Sequence, residues 1–279
     1  MGEYVRPSEL NELFAVLPQK DWKILAGGTD FYPAKVGQPL NDDILDITNI
    51  SVLNEITETE HYWHIGAVAT WSDIAAAELP PLFDGLKSAA KEIGGRQIQN
   101  AGTLGGNICN ASPAADGVPV LLSLDAAVVV SDGREATQVP LQDFVTGNRE
   151  IQLERGQIIT EIVIPKVTTP HSSGKFLKLG SREYLVISLV MAAAVFGWNS
   201  AGIISHCRIS VGACSKVAAR LKRLEALIIG REITSDFSDL LSDELFSELT
   251  PIDDVRASGE YRKEAAKEIV SDLLKCWSQ

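Results

Sequence analysis

The chain has 279 residues, 45% of them hydrophobic, enough for one large domain or two ordinary ones with their own cores. Its 37 acidic and 25 basic residues leave a formal charge of −12, which repels a phosphate backbone, so nucleic acid is not expected as a partner. The longest apolar run, residues 187–198, falls short of a membrane span and carries Ser188 and Gly197; it reads as a buried strand, and no membrane partner is expected.

Residues 1–7 contain Glu3 and Arg6 and lack the basic start and apolar stretch of a secretory signal, so a cytoplasmic location is expected. Ser8 is placed to cap a helix over residues 9–17, with Leu10, Leu13, Phe14 and Leu17 on one face. Residues 23–25 and 44–47 read as short strands of a small α/β unit. Residues 61–68 read as a further strand, which puts His61 and His64 on opposite faces and argues against a shared metal. Thr70 or Ser72 caps a short helix through Ala77, and after Pro80-Pro81 a second helix runs to about Lys91. Residues 118–124 suggest a helical turn, residues 126–130 a buried strand and Asp132-Gly133 a hairpin turn. Strands are expected at residues 158–164 and 175–179, with a domain boundary near Ser172-Ser173-Gly174. Beyond it, residues 189–198 and 203–211 flank a hairpin signal, and residues 216–229 and 258–277 read as helices. Cys109, Cys207, Cys214 and Cys276 are scattered without a CxxC pair, so neither a zinc nor an iron–sulfur site is expected on this chain.

Two glycine pairs, Gly27-Gly28 and Gly105-Gly106, offer what a diphosphate needs: backbone N–H groups that approach closely and tolerate positive φ. Each has a flanking threonine, Thr29 or Thr103, whose hydroxyl is a further donor. Either pair alone is as readily a tight turn. The second, however, lies in a long stretch of small and polar residues, 102–116, with little to pack. No GxxxxGK[ST] and no GxGxxG follows a strand, which argues against a Walker ATPase or an ordinary Rossmann site.

Residues 25–30, 103–116 and 254–262, in this order and over almost the whole chain, resemble the FAD-binding medium subunits of the molybdenum hydroxylases, the family of xanthine dehydrogenase and carbon monoxide dehydrogenase. The resemblance implies an α+β fold. A two-part FAD-binding domain of the vanillyl-alcohol-oxidase-like (PCMH) type, residues 1–173 with parts 1–56 and 57–173, precedes a smaller α+β C-terminal domain, 174–279. It implies FAD as cofactor, with Ile24, Leu25, Ala26, Gly27, Gly28, Thr29, Asp30 and Phe31 wrapping it from one side. Thr103, Leu104, Gly105, Gly106 and Asn107 close from the other, and Ile93 and Ile159 flank the cofactor. Asp116 accepts from the ribityl hydroxyls, Lys178 stands at the pyrimidine edge of the flavin, and Tyr184 is a candidate to cover the ring. The segment Arg182-Glu183-Tyr184-Leu185-Val186-Ile187 lacks the Asp of the family's Arg-x-x-Tyr-Asp-Ile-Ala. No side chain of this chain is expected to be catalytic, because the flavin carries the chemistry. The implied partners are a molybdopterin-containing large subunit and a [2Fe-2S] small subunit, with NAD+, oxygen or another carrier as acceptor. A self-sufficient FAD-dependent oxidase or reductase, or an assembly subunit without flavin, are the alternatives.

Overall fold

A computed structural model of the chain describes residues 2–277. Strand β1 (Tyr4–Val5), helix α1 (Leu10–Val16), β2 (Lys23–Leu25) and β3 (Ile44–Asp46) form a first unit. Its sheet is parallel in the order β1, β3, β2, so the fully buried β3 is central and β2 lies at an edge. α1 begins at Leu10, and Ser8 does not cap it. The Ser8 N–H and hydroxyl both donate to the Glu12 carboxylate, at 2.9 and 3.2 Å.

The second unit starts with β4 (Ile56–Glu58) and β5 (Tyr62–Gly66) and continues through α2 (Trp71–Ala76), α3 (Asp84–Glu92), α4 (Arg96–Ala101), α5 (Leu104–Asn110) and α6 (Gly117–Ser123). Hairpin β6 (Ala127–Ser131) and β7 (Ala136–Pro140) follows, then α7 (Leu141–Phe144), β8 (Val145–Gly147), β9 (Glu150–Ile151) and β10 (Ile158–Pro165). Five strands make one antiparallel sheet in the order β4, β5, β10, β6, β7. Thr70 caps α2 in a capping box with Asp73, and the Asp132 carboxylate closes the hairpin by accepting from the N–H groups of Arg134 and Glu135. β10 bulges between Ile159 and Glu161, and the freed Thr160 carbonyl takes the Ala67 N–H at 3.0 Å. The bulge therefore holds the end of β5 where the chain leaves the sheet to meet α5.

The third unit is a four-stranded antiparallel sheet of β11 (His171–Leu179), β12 (Val190–Trp198), β13 (Ile204–Gly212) and β14 (Ala219–Arg220), with α8 (Lys222–Ile228) and α9 (Gly259–Lys275). β12 explains the long apolar run. Met191, Ala193 and Val195 face the core of the second unit, while Val190, Ala192, Ala194 and Phe196 face α8 and α9. The strand expected at residues 175–179 begins earlier, because β11 already pairs with β12 from His171, and Gly174 packs so closely on Leu82 that a Cβ would sit 2.3 Å from its carbonyl oxygen. Residues 216–229 are not one helix either. Ala219 and Arg220 pair with β13, Arg220 is drawn into ion pairs with Asp125 and Glu225, and the helix starts only at Lys222.

Candidate functional site

A cleft opens where the three units meet. Its first part, about 620 Å³, is lined by Ile24, Leu25, Ala26, Gly28, Thr29, Asp30 and Phe31 after β2, by Thr103, Gly106, Asn107 and Asn110 of α5, and by Ile93, Ile98 and Arg149. A second part, about 500 Å³, shares Thr29, Asp30, Ile93, Ile98, Asn107, Asn110 and Arg149 with the first and extends past Asp116 to Lys178, Leu185, Val186 and Ile187. The two share these walls and form one continuous groove.

The two glycine pairs do different work. Among the described residues, no protein acceptor takes the N–H groups of Gly27, Gly28, Thr29, Asp30 or Phe31, so five consecutive donors are available at one bend. Gly28 has φ +68°, the left-handed conformation that makes this bend, and Gly27 lets the Ala101-Gly102 backbone pass where a Cβ would lie 1.7 Å from the Ala101 oxygen. Residues 103–107 are not a loop but the cap and first turn of α5, and the N–H donors of residues 104–107 are taken. Leu104 and Gly105 donate to Ala69 and Ala67 at 2.9 Å, Gly106 to the Thr103 hydroxyl at 3.1 Å, and Asn107 to the Thr103 carbonyl. The Thr103 hydroxyl is thus the N-cap acceptor, with its own proton left for a ligand. Asn107 Oδ1 is buried with no partner among the described residues, and it lines both parts of the groove.

At the far end Lys178 and Asp116 pair at 2.7 Å, their side chains only 6% and 9% exposed. Ser188 donates to the other Asp116 oxygen at 2.5 Å. Burial pushes the Asp116 carboxyl above its ordinary value, against the pull of the Lys178 ammonium and the two hydrogen bonds. Lys178, expected as a cation at this end, is ion-paired there with Asp116. Burial also raises the nearby Glu92 carboxyl. Cys109 is exposed at the wall of the first part.

Residues 1–167 match the family described as FAD binding domain in molybdopterin dehydrogenase, and residues 175–276 the CO dehydrogenase flavoprotein C-terminal domain. The chain belongs to the FAD-binding medium subunits of the molybdenum hydroxylase family. It is 31% identical to the nicotinate dehydrogenase FAD-subunit of Eubacterium barkeri, over 98% of this chain and 94% of that one. It is 27% identical to the carbon monoxide dehydrogenase medium chain of Hydrogenophaga pseudoflava, over 98% and 95%. The solved carbon monoxide dehydrogenase of Hydrogenophaga pseudoflava that lacks the Mo-pyranopterin moiety superposes with a TM-score of 0.88 at 26% identity, covering 99% of this chain and 96% of that one. The cofactor of the family is FAD, and its members are subunits of oxidoreductases.

For this family member, several expected residues stand away from the groove surface. Ile159 pairs with Val130 inside the central core, and Leu104 is fully buried in the same core. Gly105 packs on Ala67, where a Cβ would lie 2.7 Å from the Ala67 oxygen, and Gly27 acts by backbone approach and not by lining. Tyr184 is 72% exposed and points no ring into the groove wall, which its neighbours Leu185, Val186 and Ile187 form instead. Sequence reading missed Arg149, whose guanidinium donates to the Asn110 carbonyl at 3.0 Å and also to its side chain. Its backbone is left-handed at φ +63°, with its N–H on the Ala111 carbonyl. A third glycine pair, Gly94-Gly95 beside Ile93, lines the second part of the groove and was the overlooked signal there. No group of three metal-ligating side chains occurs among the described residues, and no described helix is long and apolar enough to cross a membrane.

Proposed function

We propose that this chain is the flavin station of a cytoplasmic complex, taking electrons from [2Fe-2S] clusters of a small partner subunit, downstream of a molybdopterin-containing large subunit, and passing them to an external acceptor such as NAD+ or oxygen. The observation that carries the reading is the long groove with the unused backbone donors of residues 28–31 at one end and the buried Asp116–Lys178 pair at the other. The bend at residues 28–31 supplies N–H groups to the diphosphate, and Arg149 adds positive charge at the wall shared by both parts. Thr103 and Asn107 offer a hydroxyl proton and an amide oxygen to polar ligand atoms. Asp116 keeps lone pairs for ribityl hydroxyls, and Lys178 steadies negative charge at that end of the groove. Bound there, FAD supplies the redox chemistry, exchanging electrons singly or in pairs. Four cysteines without a disulfide suit a reducing compartment.

The test is the absorption spectrum of the purified chain with heat release of its chromophore. Flavin bands and released FAD, reduced only when the partner subunits and their substrate are added, support the reading. A folded, colourless chain that takes up no added FAD overturns it, and rapid reduction by a small substrate without partners favours a self-sufficient enzyme. Mixing the reduced complex with NAD+ or with oxygen identifies the acceptor by which one restores the oxidised bands.

A further inference from the structure

Asp116 stands at the start of α6 with no capping bond to its own helix, so nothing local aims its carboxylate. Both of its hydrogen bonds come from the third unit, from Lys178 and from Ser188, residues 62 and 72 positions along the chain. Ser188 is 2% exposed and is the first buried residue after an exposed loop, in which Tyr184, Leu185 and Ile187 are 72%, 59% and 52% exposed. Leu185 is held in the left-handed region at φ +53°. Immediately beyond Ser188 the chain is fixed: the Leu189 N–H donates to the Leu179 carbonyl at 2.8 Å, and Arg262 donates to the Leu189 carbonyl at 2.6 Å.

We propose that Ser188 is a positioning residue: its hydroxyl holds the Asp116 carboxylate toward the groove and locks the end of the 181–187 loop to the Asp116–Lys178 pair. An ionised carboxylate has about four acceptor sites. With one oxygen given to Lys178 and one proton accepted from Ser188, lone pairs on both oxygens stay open to hydroxyl donors. Without Ser188 the carboxylate is free to rotate onto Lys178 with both oxygens, which withdraws it from the groove. It also loses a hydrogen bond that favours its charged form. The charged groups facing Asp116 are Lys178 from β11 and Glu92 from α3. The role assigned to Ser188 rests on reading the groove as the FAD site, but its effect on Asp116 does not.

Two measurements on the full chain separate these. In the FAD-free protein, the titration of the Asp116 side-chain carboxyl is followed by its carbon-13 resonance. FAD affinity is measured in parallel by quenching of flavin fluorescence. Ser188→Ala is expected to move the Asp116 midpoint up by about one pH unit and to weaken FAD by about tenfold. Ser188→Thr, which keeps the hydroxyl, is expected to restore both. An Asp116 titration that is the same in Ser188→Ala and wild type overturns the proposal, and so does an equal shift in the Ala and Thr variants. A shifted titration with unchanged FAD affinity overturns the role toward the groove. If the wild type binds no FAD at all, it is the reading of the groove that fails, while the titration still decides what Ser188 does to Asp116.

Discussion

Gly28 is the residue on which the phosphate end of the groove depends. It is left-handed, and a Cβ there meets the Tyr32 ring at 2.7 Å, so Gly28→Val is expected to abolish the flavin bands of the purified chain. Arg149 is an exposed cation held over the groove by Asn110. Arg149→Gln is expected to weaken FAD about tenfold while leaving riboflavin, which has no phosphate, unaffected in the same titration. Away from the groove, Asp46 is the groups' meeting point in the first unit. Burial opposes its ionisation, but hydrogen bonds from Thr48 and Tyr4 and the charge of Arg6 outweigh burial and hold its carboxyl below the ordinary value. A depressed carboxyl stabilises the fold above its unfolded pKa, about 4, and that contribution disappears as pH falls through the folded value. Asp46→Asn should therefore be less stable than wild type at neutral pH, with the gap closing in acid; thermal melts across pH 2 to 7 check it.

Among the elements, α2 and α5 start in the same way but serve different ends. Thr70 caps α2 in a capping box and Thr103 caps α5, and the two threonines face each other in an isolated β-bridge. Loss of either cap is expected to cost about 1 kcal/mol in denaturant unfolding. Thr103→Ala should also weaken FAD, because Thr103 lines the groove, whereas Thr70→Ala should leave affinity unchanged. The α2 cap was legible only as Thr70 or Ser72, and the capping box that Thr70 closes with Asp73 decides for Thr70. The start of α5 was read as a second phosphate loop because Gly105-Gly106 looks like one. What the glycine allows there is close packing on Ala67, a contact between residues far apart in sequence that no local pattern reveals. β1 was missed because two residues carry no alternation, and the 216–229 helix was overextended because Arg220 is claimed by partners elsewhere.

At the scale of the whole molecule, the seam between the second and third units is made of apolar faces and, besides the Asp116–Lys178 pair, a charged cluster. Asp125, just after α6, pairs with Arg208 of β13 at 2.6 Å and Arg220 of β14 at 2.5 Å, and Glu225 of α8 holds Arg220 from the other side. Asp125→Ala leaves two partly buried guanidinium groups short of an acceptor, at a cost of roughly 2 kcal/mol. Because this seam places Lys178 and Ser188 against Asp116, the variant is expected to release FAD at lower denaturant than wild type, with fluorescence of freed flavin as the measure. The sequence by itself determined the strands and helices whose periodicity is strong, the buried character of β12, the acidic charge, and the glycine signals of a nucleotide site. Those are local properties: a period of two or 3.6, a capping residue and a glycine pair are all written within a few neighbouring positions. Only the tertiary structure decided which glycine pair keeps its donors free, that Lys178 and Asp116 pair across the groove, that Arg149 stands at the wall and that Tyr184 does not. Each of these depends on what lies across the groove, and its walls come from three units brought together by packing of the core, which no single stretch of sequence encodes.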